Sequence, residues 1–267
     1  GGGTVFYVAS SNFTSTGSDC NTSCKYLEAA PANWLTGTTG DPLRSWSTDN
    51  DAGVGKGNQE VSVTGADGTA IGSGYRNSLD IVAQTGNVAA TSAAVEARAY
   101  QGNSKTDWYL PSKVELNELC KYARTQTTGT TTVLCSSAGS IRPGFSSGTY
   151  WSSSEFDNYR AWYHAVWAGL QGSAQKSDTN YVRPVRAFGP AQLSITTQPV
   201  GGASGSALTT QPVVRIVDSA GNTLTSSTAS VTATASGGTL GGTTTVSAVN
   251  GVATFTNLTH TTDGTYT

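Results

Sequence analysis

The feature that most limits how this chain can fold is a change of composition at Gly189-Pro190. Residues 1–190 hold all four Cys, all six Trp and 29 of the 32 charged residues. The 77 residues that follow hold three charges (Arg215, Asp218 and Asp263), twenty Thr and nine Ser. Gly-Pro is suitable linker chemistry, so the expected organisation is one domain over residues 1–189 and a second over 190–267. Charged residues make up 12% of the chain, against about 25% in an average one. A net charge of −2 leaves no electrostatic footprint for nucleic acid or an anionic membrane. No apolar run reaches the roughly 18–20 residues of a membrane span. Neither nucleic-acid binding nor membrane insertion is therefore expected. The chain contains no Met, which suggests a processed or excised piece of a longer protein.

Cys20 and Cys24 lie in Cys-Asn-Thr-Ser-Cys, while Cys120 and Cys135 flank a Thr-rich loop. Four cysteines allow three pairings. The local one, Cys20–Cys24 with Cys120–Cys135, closes the shortest loops and is the expectation. The spacings of three and fourteen intervening residues fit no zinc pattern, and no His lies nearby in the chain. Cys-x-x-Cys, the redox spacing, is absent. Disulfides, low charge and a Thr/Ser/Gly-rich surface together read as extracellular, on a cell or virion surface.

The second segment reads as successive short strands with turns between them. Leu193-Ser-Ile-Thr-Thr and Ser230-Val-Thr-Ala-Thr-Ala alternate, and Val213-Val-Arg-Ile-Val is a β-branched run. Asn250-Gly251 is a two-residue hairpin signal; in the strand after it, Phe255 and Leu258 are the expected core contributors. Such spacing suggests a Greek-key sandwich. With "Gln-Pro-Val … Asp-Ser-Ala-Gly-Asn" and "Asn-Gly-Val-Ala-Thr-Phe", the segment resembles the immunoglobulin-like repeats of bacterial surface proteins. That resemblance implies a spacer role. The last residues, Asp263-Gly-Thr-Tyr-Thr, look like the start of another strand, so the sandwich reads as incomplete at its C-terminus.

The first segment opens with a strand, Gly3-Thr-Val-Phe-Tyr-Val-Ala. Helix candidates are Asn77–Gln84, Ala93–Tyr100 and Ser112–Arg124. In the last, Ser112 and Glu115 form a capping box, with Val114, Leu116, Leu119 and Cys120 at helical spacing. After Gly144 short strands return at Thr149-Tyr-Trp-Ser-Ser, Ala161-Trp-Tyr-His-Ala-Val-Trp and Tyr181-Val-Arg-Pro-Val-Arg-Ala-Phe. Helices first and strands last argue for an α+β domain.

Three phrases stand together in this segment: Asp107-Trp-Tyr-Leu-Pro-Ser-Lys-Val-Glu-Leu, Tyr150-Trp-Ser-Ser-Ser-Glu and Val182-Arg-Pro-Val-Arg. In this order residues 1–189 resemble the Lcl-type C-terminal domain, a family found on bacterial collagen-like adhesins and on phage and metagenomic surface proteins. The resemblance implies a C-type-lectin-like fold used for binding on surfaces. The expected fold is thus an α+β C-type-lectin-like head followed by an all-β immunoglobulin-like sandwich. Trp108, Leu110, Trp151 and Trp162 are expected in the core. Arg183 or Arg186 is expected to pair with Asp107, Glu115 or Glu155.

In lectin-like folds the stretch between Trp151 and Val182 forms the ligand face. Here it offers Glu155, Asp157, Asn158, Tyr159 and Arg160, then Tyr163 and Trp167, then Gln171, Gln175, Asp178 and Asn180. Rings can stack on the apolar face of a sugar while amide, hydroxyl and charged groups bond its hydroxyls. If Trp162, His164 and Val166 point inward on one strand, Tyr163, Ala165 and Trp167 point out. Tyr159 and Trp167 are the leading exposed aromatics. The resemblance also suggests a display scaffold for hypervariable residues over 155–180.

Catalysis finds little support: the chain has two His, His164 and His260, and no enzyme is expected. No cofactor is expected either. Asp49 and Asp51, followed by Glu60, superficially suggest a structural calcium loop, but Val54 stands where such a loop requires Gly. The reading is an extracellular adhesion or receptor-recognition module for a surface glycan or protein receptor. The competing reading is a structural subunit of a filament or fibre, contacting further copies or domains of the same surface protein.

Overall fold

The computed structural model describes residues 3–47, 61–84 and 91–261. Asp49, Asp51 and Glu60, the calcium candidates, lie outside the described residues, as do residues 263–267. The chain divides into two compact units, Gly1–Gly189 and Pro190–Thr267.

In chain order the first unit runs β1 (Thr4–Phe13), β2 (Cys24–Ala29), β3 (Leu43–Ser45), α1 (Gly74–Ala83), α2 (Ala93–Ala99), α3 (Lys113–Ala123), β4 (Thr149–Glu155), β5 (Arg160–Ala165), β6 (Leu170–Gln175), β7 (Thr179–Tyr181) and β8 (Val185–Phe188). The strands form two sheets, β1-β2-β8 and β3-β7-β4-β5-β6. Pairing is antiparallel except between β4 and β7, which meet in parallel at Tyr150 and Tyr181. This corrects the α+β C-type-lectin-like expectation: the unit is mostly β, in small sheets, with three short helices. The order also differs, because strands precede the helices and β2 pairs with the last strand, β8. The helices stay short for local reasons. Gln84 and Tyr100 take extended backbone directly after α1 and α2, and residues 125–148 carry no regular element. The capping box of α3 is present, with Ser112 Oγ accepting from Glu115 N and the Glu115 carboxylate accepting from Ser112 N.

Two buried clusters fill this unit. One joins Phe6, Leu27, Tyr109, Leu116, Leu119 and Tyr150; the other joins Trp34, Trp46, Ile81, Trp108, Leu110 and Trp151. The two arginines of Val-Arg-Pro-Val-Arg are buried between elements as charged anchors. Arg183 donates to both carboxylate oxygens of Asp41, at 2.6 and 2.8 Å. Arg186 binds Asp107 and also Glu28 at 3.1 Å and Asp19 at 3.3 Å. Each guanidinium thereby ties the last strands to distant chain, and breaking such a buried pair costs about 3–5 kcal/mol.

The disulfides are Cys20–Cys24 and Cys120–Cys135, the local pairing. Cys120 lies on α3, and the loop it closes is also fixed by side chains of that helix. Asn117 donates to Val133 O and accepts from Cys135 N. The buried Glu118–Lys121 pair holds Gly129 N and Thr130 O.

The second unit contains β9 (Gln192–Thr197), β10 (Val213–Val217), β11 (Ser230–Thr232), β12 (Leu240–Gly241), β13 (Thr245–Ser247), β14 (Val252–Thr254) and β15 (Thr259–His260). They form three small sheets, β14-β10-β9, β11-β13 and β12-β15, in place of the two full sheets expected of an immunoglobulin-like sandwich. Glycine breaks the ladders: Gly242, at φ 79°, turns the chain directly after β12. Asn250 and Gly251 have φ of 50° and 74° and make the expected tight turn, closed by paired backbone bonds between Val249 and Val252. The flanking strands then part, β13 to β11 and β14 to β10. Val214, Ile216, Val231, Ala253, Phe255 and Leu258 form the core.

Candidate ligand-binding surface

The middle of the large sheet, β4-β5-β6, carries five of the candidate residues (Glu155, Arg160, Tyr163, Gln171 and Gln175), and other elements pack against both its faces. Trp162 and His164 face α3. Lys113 Nζ of that helix sits 3.4 Å over the Trp162 ring, and Gln171, opposite His164 in the ladder, donates to Lys113 O. Ala161 and Tyr163 face the Trp46–Trp108–Trp151 cluster. Tyr163, expected to point out, is half-buried against that cluster. Its ring lies across Gly172, where a Cβ would come within 2.6 Å of the phenol oxygen. The strand alternates as expected, and helix and core leave the Trp162 and Tyr163 rings half-buried.

Exposure is concentrated at the two ends of β5. At one end the β4–β5 turn meets the β6–β7 turn, and here Glu155, Asp157, Asn158, Tyr159, Arg160, Gln175 and Asp178 come together. Lys176 locks the two turns. Its ammonium is fully buried and donates to Val61 O and Asn158 O at 2.9 Å and to Glu155 Oε1. Burial pushes the Lys176 pKa down, while the bond to Glu155 opposes the shift. Glu155 is thus a brace, accepting from Lys176 and from Val63 N. Asp157 shapes the turn itself: one carboxylate oxygen accepts from Tyr159 N and Arg160 N, and the other from the Arg160 guanidinium at 2.7 and 2.9 Å. Those bonds to Arg160 hold the Asp157 pKa below the usual carboxylate range. Asp178 similarly accepts from Gln175 N.

What remains accessible is a ladder of cations and rings. Arg160 lies 4.5 Å over Phe156, Phe156 meets Trp162 edge-on at 4.8 Å, and Trp162 carries Lys113 on its other side. Phe156 is 42% exposed and Tyr159 50%. Burial lowers the Lys113 pKa. Sequence reasoning passed over Phe156, Lys113 and Lys176, and placed Trp162 in the core although it is only half-buried. Phe156 was legible as an apolar residue in a polar turn; Lys113 belongs to a different element, and no local pattern connects it.

At the other end, the β5–β6 turn exposes Trp167 (59%) and Leu170 (62%). Arg124 secures it, donating to Val166 O and Trp167 O and, from the same guanidinium, to Gly139 O. Gly169, at φ 67°, lies flat on the Ser136 backbone, where any Cβ would collide at 2.0 Å. All of β5 separates Trp167 from Tyr159, roughly 20 Å of extended chain. The two leading aromatics therefore lie at opposite ends of the strand. Asn180 is at neither: it sits on β7 opposite Arg44 of β3.

Among the described residues no helix is long and apolar enough to cross a membrane. No curated protein matches the chain. Residues 29–186, more than half the chain, match the Lcl C-terminal domain. The match lies within the first unit and ends on Arg186, the buried guanidinium that binds Asp107 of the first motif phrase. The chain belongs to the Lcl C-terminal domain family.

Proposed function

We propose that the chain is an extracellular adhesion or receptor-recognition module that binds a surface glycan at the Tyr159 end of the large sheet. The observation that carries this reading is the ladder Arg160–Phe156–Trp162–Lys113 beside Tyr159. Phenyl and phenol faces take the apolar side of a pyranose ring. The two cations add charge-assisted hydrogen bonds to hydroxyl or acidic substituents. Because Lys176 and Asp157 fix the backbone of both turns, binding orders little that is not ordered already. The two disulfides agree with an oxidising, extracellular setting.

The test is a glycan array probed with the whole chain and with Tyr159→Ala, Arg160→Ala and Trp167→Ala. Binding that is lost in the first two and kept in the third supports this site. Binding that survives Tyr159→Ala and Arg160→Ala sinks it.

A second reading, assembly into a filament or fibre, is favoured by a different observation. β9 is an edge strand of its sheet and leaves Leu193 (61%) and Ile195 (52%) exposed, which suits pairing with another copy. Sedimentation of the whole chain and of Ile195→Lys decides between the readings: a shared monomeric state removes assembly through this edge.

A further inference from the structure

The disulfide loop and β5 bring together metal-ligating atoms that the surface described above does not use. Cys120 lies on α3, Cys135 ends the loop after it, and His164 lies on the side of β5 that faces this helix. Their sulfur and ring-nitrogen atoms all fall within 4.8 Å of one another, and all three residues are buried. His164 is fully buried, and among the described residues neither Nδ1 nor Nε2 has a hydrogen-bond partner. Packing gives no reason for an imidazole there, since an apolar side chain would fill the space without leaving two polar atoms unpaired.

The loop does not depend on its sulfur–sulfur bond to stay in place. Asn117 binds it on both sides of Leu134, donating to Val133 O at 3.0 Å and accepting from Cys135 N at 2.9 Å. Lys121 donates to Thr130 O at 2.6 Å, and Gly129 N donates to Glu118 at 2.7 Å. When the disulfide opens, these bonds keep Cys135 beside Cys120.

We propose that reduction of Cys120–Cys135 creates a buried site for a divalent zinc-type ion, with the two thiolates and His164 as its protein ligands. A dithiol supplies the two electrons and two protons: it becomes a disulfide, the Cys120–Cys135 bond breaks, and each sulfur takes one proton. The ion then displaces both protons and bonds two sulfurs and one ring nitrogen, with a fourth position left for water. Thiolate and imidazole are the donors such an ion prefers. Two thiolates also cancel its charge, which a buried site requires. The oxidised chain offers no thiolate, so the site exists in one redox state alone.

The test uses the whole chain, reduced with excess dithiol and then freed of it under anaerobic conditions. The reduced chain takes up one equivalent of zinc, and cobalt in its place gives sulfur-to-metal charge-transfer and tetrahedral d–d absorption. The oxidised chain gives neither. Reduced His164→Phe binds at least about tenfold more weakly, since even losing a supporting hydrogen bond costs that much at a metal site. Equal uptake by oxidised and reduced chain overturns the proposal. So does undiminished binding by His164→Phe, or no uptake at all. A reduced chain that loses its near-ultraviolet dichroism and does not regain it with zinc overturns it too, because the loop must hold without the disulfide.

Discussion

The two ends of β5 solve the same problem with different chemistry. At the Tyr159 end a buried ammonium, Lys176, gathers a carboxylate and two carbonyls from two segments, residues 155–158 and Val61. At the Trp167 end a disulfide and one guanidinium, Arg124, gather the carbonyls of two loops. The first is a charge that must stay paired, and its rim is cationic and aromatic. The second is a covalent link with a rim of Trp167 and Leu170. A turn held by a buried ion fails all at once when its partner is removed, whereas a turn held by several neutral acceptors and a covalent bond loses support by degrees.

That contrast can be broken or sharpened by substitution, and the largest effect is expected at Lys176. Lys176→Ala leaves Glu155 buried without its cation and should cost about 3–5 kcal/mol. Chemical denaturation measures the loss, and a cost under about 1 kcal/mol would show that the ammonium is not the brace. Next is the double substitution Cys120→Ala with Cys135→Ala, expected to cost about 3 kcal/mol for a loop of this length. The helix-loop hydrogen bonds of Asn117 and Lys121 should keep the fold, so near-ultraviolet dichroism is expected to persist while the unfolding midpoint drops.

Smaller, pH-dependent effects separate two buried groups, Glu115 on α3 and His164 on the strand that faces it. Burial lowers the His164 pKa from 6.5 to about 4, and Lys121 adds to the shift. The folded chain thus favours the neutral ring. This stabilisation is present above about pH 6.5 and is lost as the pH falls towards 4. Burial raises the Glu115 pKa to about 7, although Ser112 N, Gly72 N and Tyr109 Oη donate to the carboxylate and oppose the shift. Its contribution is present below about pH 4.5 and is lost as the pH rises through 7. Thermal melts of His164→Phe should show a flatter acid limb, and those of Glu115→Gln a flatter neutral limb. Unchanged pH slopes would remove both groups as the cause. Least costly to the fold are Tyr159→Ala and Trp167→Ala, both in exposed turns, with melting temperatures expected within about 2 °C of the parent.

The individual elements were readable from local patterns. The capping box at Ser112 and Glu115 marked α3, Asn250-Gly251 marked a turn, and the short cysteine spacings marked both disulfides. Each depends on residues within about fifteen positions of one another. Fold class was not readable, because it depends on which strands find each other. β2 pairs with β8 across 156 residues, and the helices that dominated the middle of the sequence proved to be three short segments between sheets. In the surface itself, strand alternation placed Trp162 and Tyr163 on opposite sides correctly. It gave no sign that α3 and a tryptophan cluster would pack against both sides.

Composition by itself separated a Trp- and Cys-bearing segment from a Thr-rich one at Gly189-Pro190, because residue supply limits what kind of core each can build. It also limited the charges to few enough that most must be accounted for singly. Only the tertiary structure decided what those charges do. Lys176 carries no local sign of burial, and of the bridge expected for Arg183 or Arg186 only the tertiary structure fixed the partners, Asp107 for Arg186 and Asp41 for Arg183, since groups far away in sequence converge on these buried cations. His164 met its two sulfurs in the same way. Burial and pairing are set by where distant segments pack, and no local spacing encodes that.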